Sequence, residues 1–193
     1  MQYTNYMDFE RAKLRCEQCE IRAFYDVVVP SDGNKLNPDV LIVGEAPGND
    51  EVEQLKPFVG KAGKLLRDTI GDYGFRKTNT LISNVMPCRP LNNKFPSPRE
   101  ATECFNEWLK EEIEMVKPEC ILLLGNQPLY YVLKLRGITK LRGEWKDYNG
   151  IPCMPTYHPS YIQRKMYMKD GPEIMENFRN DVKGVAVEVG FIT

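Results

Sequence analysis

Histidine is almost missing from this sequence of 193 residues: His158 stands alone. A hydrolytic zinc site built on several imidazoles is therefore excluded, and no Ser–His–Asp triad assembles from the spacing around it. Long hydrophobic runs are missing too. One of the longest, Cys120-Ile121-Leu122-Leu123-Leu124, falls far short of the roughly 20 residues that span a bilayer. Met1-Gln2-Tyr3-Thr4-Asn5-Tyr6 leads into Asp8-Phe9-Glu10-Arg11 without a hydrophobic signal core. A soluble cytoplasmic protein with no membrane partner is the expectation. Excess charge of either sign is also absent, since 26 Lys and Arg face 27 Asp and Glu. That balance excludes the whole-surface basic field of many nucleic-acid binders. A local basic face stays open, because Lys134, Arg136, Lys140, Arg142 and Lys146 crowd one segment and Arg164, Lys165 and Lys169 follow His158. The plainer reading of each cluster, and of the run from Glu100 to Glu119, is an ordinary solvated surface.

What is present fits a folded domain. A chain with 42% hydrophobic and 27% charged residues is too apolar to stay disordered. Its length predicts one domain over 1–193, with a core that needs no disulfides. Six cysteines nevertheless occur. Cys120 and Cys153 sit in apolar strand-like runs and read as buried structural thiols. Cys16 and Cys19 form a C-x2-C pair; Cys88 and Cys104 form a second pair with fifteen residues between them. In a reducing compartment, paired cysteines suggest a metal or redox chemistry. Four soft sulfur ligands suit Zn2+ or an iron–sulfur cluster alike, and spacing does not separate the two.

Four short apolar runs predict buried strands at Val40–Val43, Thr80–Val85, Cys120–Leu124 and Pro152–Tyr157. Helical periods lie between and after them, at Ala62–Tyr73, Pro98–Val116, Pro128–Leu135 and Pro172–Val182. The second of these opens on Ser97-Pro98-Arg99-Glu100, an N-cap serine with proline at the first helical position. Apolar strands alternating with helices predict an α/β fold, a single domain whose central four-stranded, mostly parallel sheet is flanked by helices. Ligands in such folds bind beyond the carboxyl ends of the strands. Four segments follow those ends: Gly44-Glu45-Ala46-Pro47-Gly48, Asn84 through Cys88-Arg89-Pro90, Gly125-Asn126-Gln127, and Tyr157-His158-Pro159-Ser160. Neither a phosphate-binding P-loop nor a G-x-G-x-x-G fingerprint is among them, since Gly60-Lys61-Ala62-Gly63-Lys64 lacks the spacer and the following Ser or Thr. A plain strand-to-helix connection, and a structural rather than catalytic histidine, are the plainer readings.

Taken together, Gly44-Glu45-Ala46-Pro47-Gly48, Pro57-Phe58-Val59-Gly60, Asn84 through Pro90 and Tyr157-His158-Pro159-Ser160 resemble the uracil-DNA glycosylase superfamily. With the four cysteines in the same order, they resemble its family 4, iron–sulfur branch. The resemblance implies an enzyme that flips uracil out of DNA and hydrolyses its N-glycosidic bond, leaving an abasic site. It implies that Phe58 stacks on the base and that Asn84 reads its edge. Backbone of Glu45, Ala46, Pro47 and Gly48 would complete the pocket, with His158 donating to uracil O2 as charge builds there. Ala46 stands where the best-known branch has an aspartate, so Glu51, then Glu45, are the candidates for handling water. The resemblance also implies a 4Fe-4S cluster on Cys16, Cys19, Cys88 and Cys104 that ties the N-terminal segment into the domain. After His158, Tyr161 or Ile162 would wedge into single- or double-stranded uracil-containing DNA, with Arg164 and Lys165 on phosphates. A monomer is expected. The alternatives are a catalytically idle iron–sulfur DNA-binding or polymerase-associated module of the same fold, and a small iron–sulfur electron carrier.

Overall fold

The computed structural model describes residues 3–17, 27–90 and 94–193. Cys19 and Leu91-Asn92-Asn93 lie outside the described residues. Strands are β1 (Asp32–Gly33), β2 (Val40–Gly44), β3 (Thr80–Asn84), β4 (Cys120–Leu124), β5 (Lys146–Tyr148) and β6 (Ile151–Thr156). Helices are α1 (Tyr6–Leu14), α2 (Asn49–Gln54), α3 (Lys61–Asp72), α4 (Pro98–Cys104), α5 (Lys110–Val116), α6 (Asn126–Leu133), α7 (Ile138–Leu141), α8 (Pro159–Lys165) and α9 (Gly171–Glu188). Between α4 and α5 the helix continues as a π-turn over Phe105–Leu109.

The class is the expected α/β arrangement, but the sheet among the described residues has six strands rather than four, in the order β1-β3-β2-β4-β6-β5. The four inner strands are parallel; β1 and β5 add antiparallel edges. Every residue of β2, β3 and β4 is buried, because helices cover both faces of the sheet. Leu41, Val43, Leu81, Ile121 and Leu123 point into one layer, with Phe9 of α1, Trp108 of the π-turn and Ile113 of α5. Val40, Ile42, Ile82, Leu122 and Leu124 point the other way, onto Leu66 of α3 and Phe178 and Val182 of α9. This alternation is the period-2 rule applied to a sheet with two dry faces. Cys120 and Cys153 are buried within it, and burial pushes both thiols up to about 12, so they stay protonated.

A buried ionic knot joins α1 to the sheet. Glu112 is fully buried. It accepts from Ser31 Oγ at 2.6 Å, Ser83 Oγ at 2.6 Å, Lys13 Nζ at 3.2 Å and the Tyr6 hydroxyl. Burial raises the pKa of a carboxyl, but Lys13 and the three hydroxyl donors outweigh it and hold Glu112 below its ordinary value. Ser83 reaches into this knot, while its neighbour Asn84 points to the opposite face.

Candidate active site

A cavity of about 710 Å3 opens beyond the carboxyl ends of the parallel strands, where an open α/β sheet is expected to hold its ligand. Each connection leaving the inner strands contributes to it. Gly44 at the end of β2 lies opposite Asn84 at the end of β3. Pairing continues past the strand ends, Val85 N–H donating to Gly44 at 2.9 Å and Met86 N–H to Glu45 at 3.1 Å. The turn Glu45-Ala46-Pro47-Gly48 is thereby fixed relative to Asn84, and all four of its residues line the cavity.

Phe58 is held at φ 55°, in the left-handed region that a bulky residue rarely enters. Several contacts enforce this. Arg67 donates to the carbonyls of Phe58 at 2.9 Å and Pro57 at 2.8 Å. Gly63 packs so closely beneath that a Cβ there would lie 2.0 Å from the Phe58 carbonyl carbon. Glu51 Oε1 takes the N–H groups of Val59 at 3.0 Å and Gly60 at 2.9 Å, while Oε2 takes that of Gly48 at 3.0 Å. Strain of this kind persists only where the surroundings over-determine it, commonly at a functional site. The outcome is an aromatic face 5.9 Å from the His158 ring, tilted 36° to it. At the end of β2, Gly44 leaves room for both side chains: a Cβ there would sit 2.3 Å from Asn84 Oδ1 and 2.5 Å from Phe58 Cζ.

Asn84 is 8% exposed, and its Oδ1 is buried without a hydrogen-bond partner. An orphaned buried acceptor costs about 1–3 kcal/mol unless a ligand satisfies it. His158 is the N-cap of α8; its Nδ1 accepts from Ser160 N–H at 3.2 Å and lies 2.8 Å from Ser160 Oγ. A backbone N–H only donates, so Nδ1 is the bare nitrogen and Nε2 carries the proton. Desolvation and, next, the Arg164 cation lower the His158 pKa to about 4, against a smaller opposing pull from Glu51. The imidazole is neutral at pH 7. The cavity thus offers a ring to stack on, a bare acceptor and a neutral N–H donor, suited to a flat heterocycle with donor and acceptor edges.

The other expected residues fall out unevenly. Glu51 lines the cavity, yet its oxygens hold the loops of Gly48 and Phe58, so it acts first as a brace. Glu45 also lines the cavity, and burial raises its carboxyl above the ordinary value against the pull of Arg164. Tyr161 and Arg164 are on the wall; Lys165 is drawn to Asp170 at 3.4 Å. Ile162 is 1% exposed and packs into the core beside Phe178 and Leu66. That placement removes it as a wedge into DNA, because its helical position turns it inward. Ile138 and Thr139 of α7 join the lining. Sequence reading passed over them; the docking bond from Ile138 N–H to Asn126 Oδ1, at 3.0 Å, leaves no local signature.

Of the four paired cysteines, Cys88 and Cys104 are buried in one apolar cluster and Cys16 packs against it. Among the described residues, no three His, Cys, Asp or Glu side chains are placed to hold a metal ion by themselves. The donor chemistry, thiols in an apolar shell on one side of the sheet, is of the kind a soft metal centre takes, and Cys19 lies outside the described residues.

Residues 30–183 match the family model of the Uracil DNA glycosylase superfamily. Among curated proteins the chain is similar to the Type-4 uracil-DNA glycosylase of Thermotoga maritima, 39% identical over 158 residues, 80% of this chain and 81% of that one. It is similar to the Type-4 uracil-DNA glycosylase of Archaeoglobus fulgidus, 29% identical over 187 residues, 92% of this chain and 90% of that one. That of Saccharolobus solfataricus is 35% identical over 156 residues, 76% of this chain and 71% of that one.

Proposed function

The chain belongs to the uracil DNA glycosylase superfamily, and from that premise we infer that it is a DNA repair glycosylase: it excises uracil from DNA by hydrolysing the N-glycosidic bond. The observation that carries the reading at the level of the site is the bare, buried Asn84 Oδ1 beside the Phe58 face and the His158 Nε2 donor. Uracil presents N3–H between two carbonyls. Asn84 Oδ1 accepts from N3–H and its NH2 donates to O4; cytosine carries a bare N3 and an amino group there and meets both mismatched. Phe58 replaces the stacking lost when the nucleotide leaves the duplex, about 1–3 kcal/mol.

As the glycosidic bond breaks, its electron pair moves into the base and negative charge gathers on O2. The neutral His158 Nε2–H donates to that oxygen, an interaction that strengthens as charge develops and therefore accelerates the step. The backbone turn Glu45–Gly48 closes the pocket on the same side. Positive charge grows on the deoxyribose; Glu45, on the cavity wall, faces it and receives the proton of the attacking water. Arg164 and Lys165 hold flanking phosphates, and Tyr161 borders the mouth.

A 4Fe-4S cluster on Cys16, Cys19, Cys88 and Cys104 completes the proposal. The shared apolar setting of Cys16, Cys88 and Cys104 supports it, and a reducing cytoplasm suits the thiolates. When bound, such a cluster supplies a covalent tether rather than a chemical step. Asn84 lies four residues before Cys88, so the tether steadies the base-reading strand end.

The test is single-turnover release of uracil from a labelled oligonucleotide. His158→Ala and Asn84→Ala each lower the rate by about tenfold or more, with circular dichroism unchanged. Wild-type protein that leaves uracil in single-stranded and U:G DNA alike would end the assignment.

A further inference from the structure

The turn Met166-Tyr167-Met168 is an apolar protrusion that the cavity does not use. Tyr167 is 95% exposed, Met168 52% and Met166 44%. Three consecutive large apolar side chains in water are unusual unless something covers them. The base of the turn is firm. Met168 N–H donates to Lys165 at 2.8 Å and Gly171 N–H to Met168 at 3.0 Å. Gly171 packs so tightly that a Cβ would lie 2.5 Å from the Lys165 carbonyl oxygen and 2.6 Å from that of Met166. The tip is thus presented on a pinned base.

Its position and surroundings indicate what it meets. α8 starts at His158, and Tyr161 and Arg164 on it line the cavity. Met166 keeps helical angles, φ −50° and ψ −36°, so Tyr167 follows Tyr161 and Arg164 at helical spacing of three. At 1.5 Å per residue it stands about 13 Å from His158 along the axis, close to four base steps at 3.4 Å. Arg164, Lys165 and Lys169 flank the tip in sequence; the nearest acid in sequence, Asp170, is paired with Lys165. Cations around an exposed aromatic and two thioethers match phosphates on either side of a groove.

We propose that this turn is a finger for double-stranded DNA. Tyr167 and its flanking methionines enter a groove about four base pairs from the flipped nucleotide, while Arg164 and Lys169 meet the phosphates beside it. The proposal rests on the uracil-excision reading. It assigns the turn to the duplex form of the substrate, since a lone strand offers no groove.

The full chain carrying Tyr167→Ala or Tyr167→Phe tests it, the exposed position leaving the fold intact. The expected result is a roughly tenfold or greater loss of excision from a U:G duplex for Tyr167→Ala, with single-stranded excision within about twofold of wild type. Tyr167→Phe restores most of the duplex rate. Fluorescence anisotropy on a duplex bearing an uncleavable abasic analogue reads binding without chemistry. There Tyr167→Ala weakens affinity by about tenfold, and the deficit vanishes when the duplex is cut to two base pairs on the finger's side, each side being shortened in turn. Equal losses on both substrate forms, unchanged duplex binding, or a deficit that survives both truncations would overturn the proposal, and unchanged binding would leave the turn to a protein partner. Failure of wild type to release uracil from either substrate form would strike the excision reading instead, with the anisotropy arm still reporting on the finger.

Discussion

Adding one methyl group at Gly44 tests the base pocket more sharply than removing any of its walls. In Gly44→Ala the new Cβ would lie 2.3 Å from Asn84 Oδ1, 2.5 Å from Phe58 Cζ and 2.7 Å from Phe58 Cε2. Ordinary carbon contacts need about 3.5–4.0 Å, so each neighbour must retreat by about 1 Å or more. The Phe58 backbone has nowhere to go, with Gly63 pressed beneath it and Arg67 bonded to its carbonyl. Its ring must therefore swing off the stacking position, and the Asn84 amide must turn away from the base edge. Losing the stack removes about 1–3 kcal/mol and losing the edge bond about 0.5–1.5 kcal/mol, together about a 10- to 2,000-fold slower excision. Overpacking also costs about 1–3 kcal/mol of stability, so rates are compared below the melting transition, after circular dichroism shows the variant folded. The assay is single-turnover uracil release at saturating enzyme. A folded Gly44→Ala protein within about threefold of wild type would refute the pocket geometry.

Four further outcomes follow from the same structure. Because the folded pKa of His158, about 4, lies below its ordinary 6.5, the unfolded chain binds the extra proton first: its stability contribution is lost as pH falls through that interval, and His158 itself adds no step to the excision rate from pH 8 to about 5. A rate that climbs as pH falls through 6.5 would show that the imidazolium acts instead. Glu51→Gln lowers both melting temperature and rate because it loosens the bonds to Gly48, Val59 and Gly60, whereas Glu45→Gln slows excision by about 10- to 100-fold at unchanged melting temperature; calorimetry beside kinetics separates them. Protein purified without oxygen shows broad absorbance near about 400 nm and about four irons per chain, both lost in Cys88→Ala; colourless, iron-free wild type would remove the cluster. Lys13→Met strands the Glu112 carboxylate and costs about 3–5 kcal/mol in urea unfolding; a loss under about 1 kcal/mol would show the knot is wet.

The inner strands were legible because a strand buried on both faces must be apolar throughout, and β2, β3, β4 and β6 are close to that. The edges were not: Asp32–Gly33 has two residues, and Lys146–Tyr148 has no apolar alternation to read. Helix α2 buries none of its residues, so it leaves no period in the sequence. Phe105, Trp108 and Leu109 satisfy an α-helix and a π-turn alike. Asn84, Phe58 and His158 could be found because chemistry collects after strand ends. The bracing role of Glu51 needed three backbone partners whose positions no spacing announces. Glu112 was hardest, since a glutamate among glutamates reads as solvated, and only the fold brings Lys13, Ser31 and Ser83 around it.

That knot sets a timetable for the making of the molecule. Lys13 and Glu112 are 99 positions apart, so at about 5–20 residues per second the amino-terminal helix waits roughly 5–20 s on the ribosome before its counter-charge is even synthesised. Cys88 and Cys104 emerge inside that interval. The first helix therefore meets its counter-charge only after both of those thiols have been made.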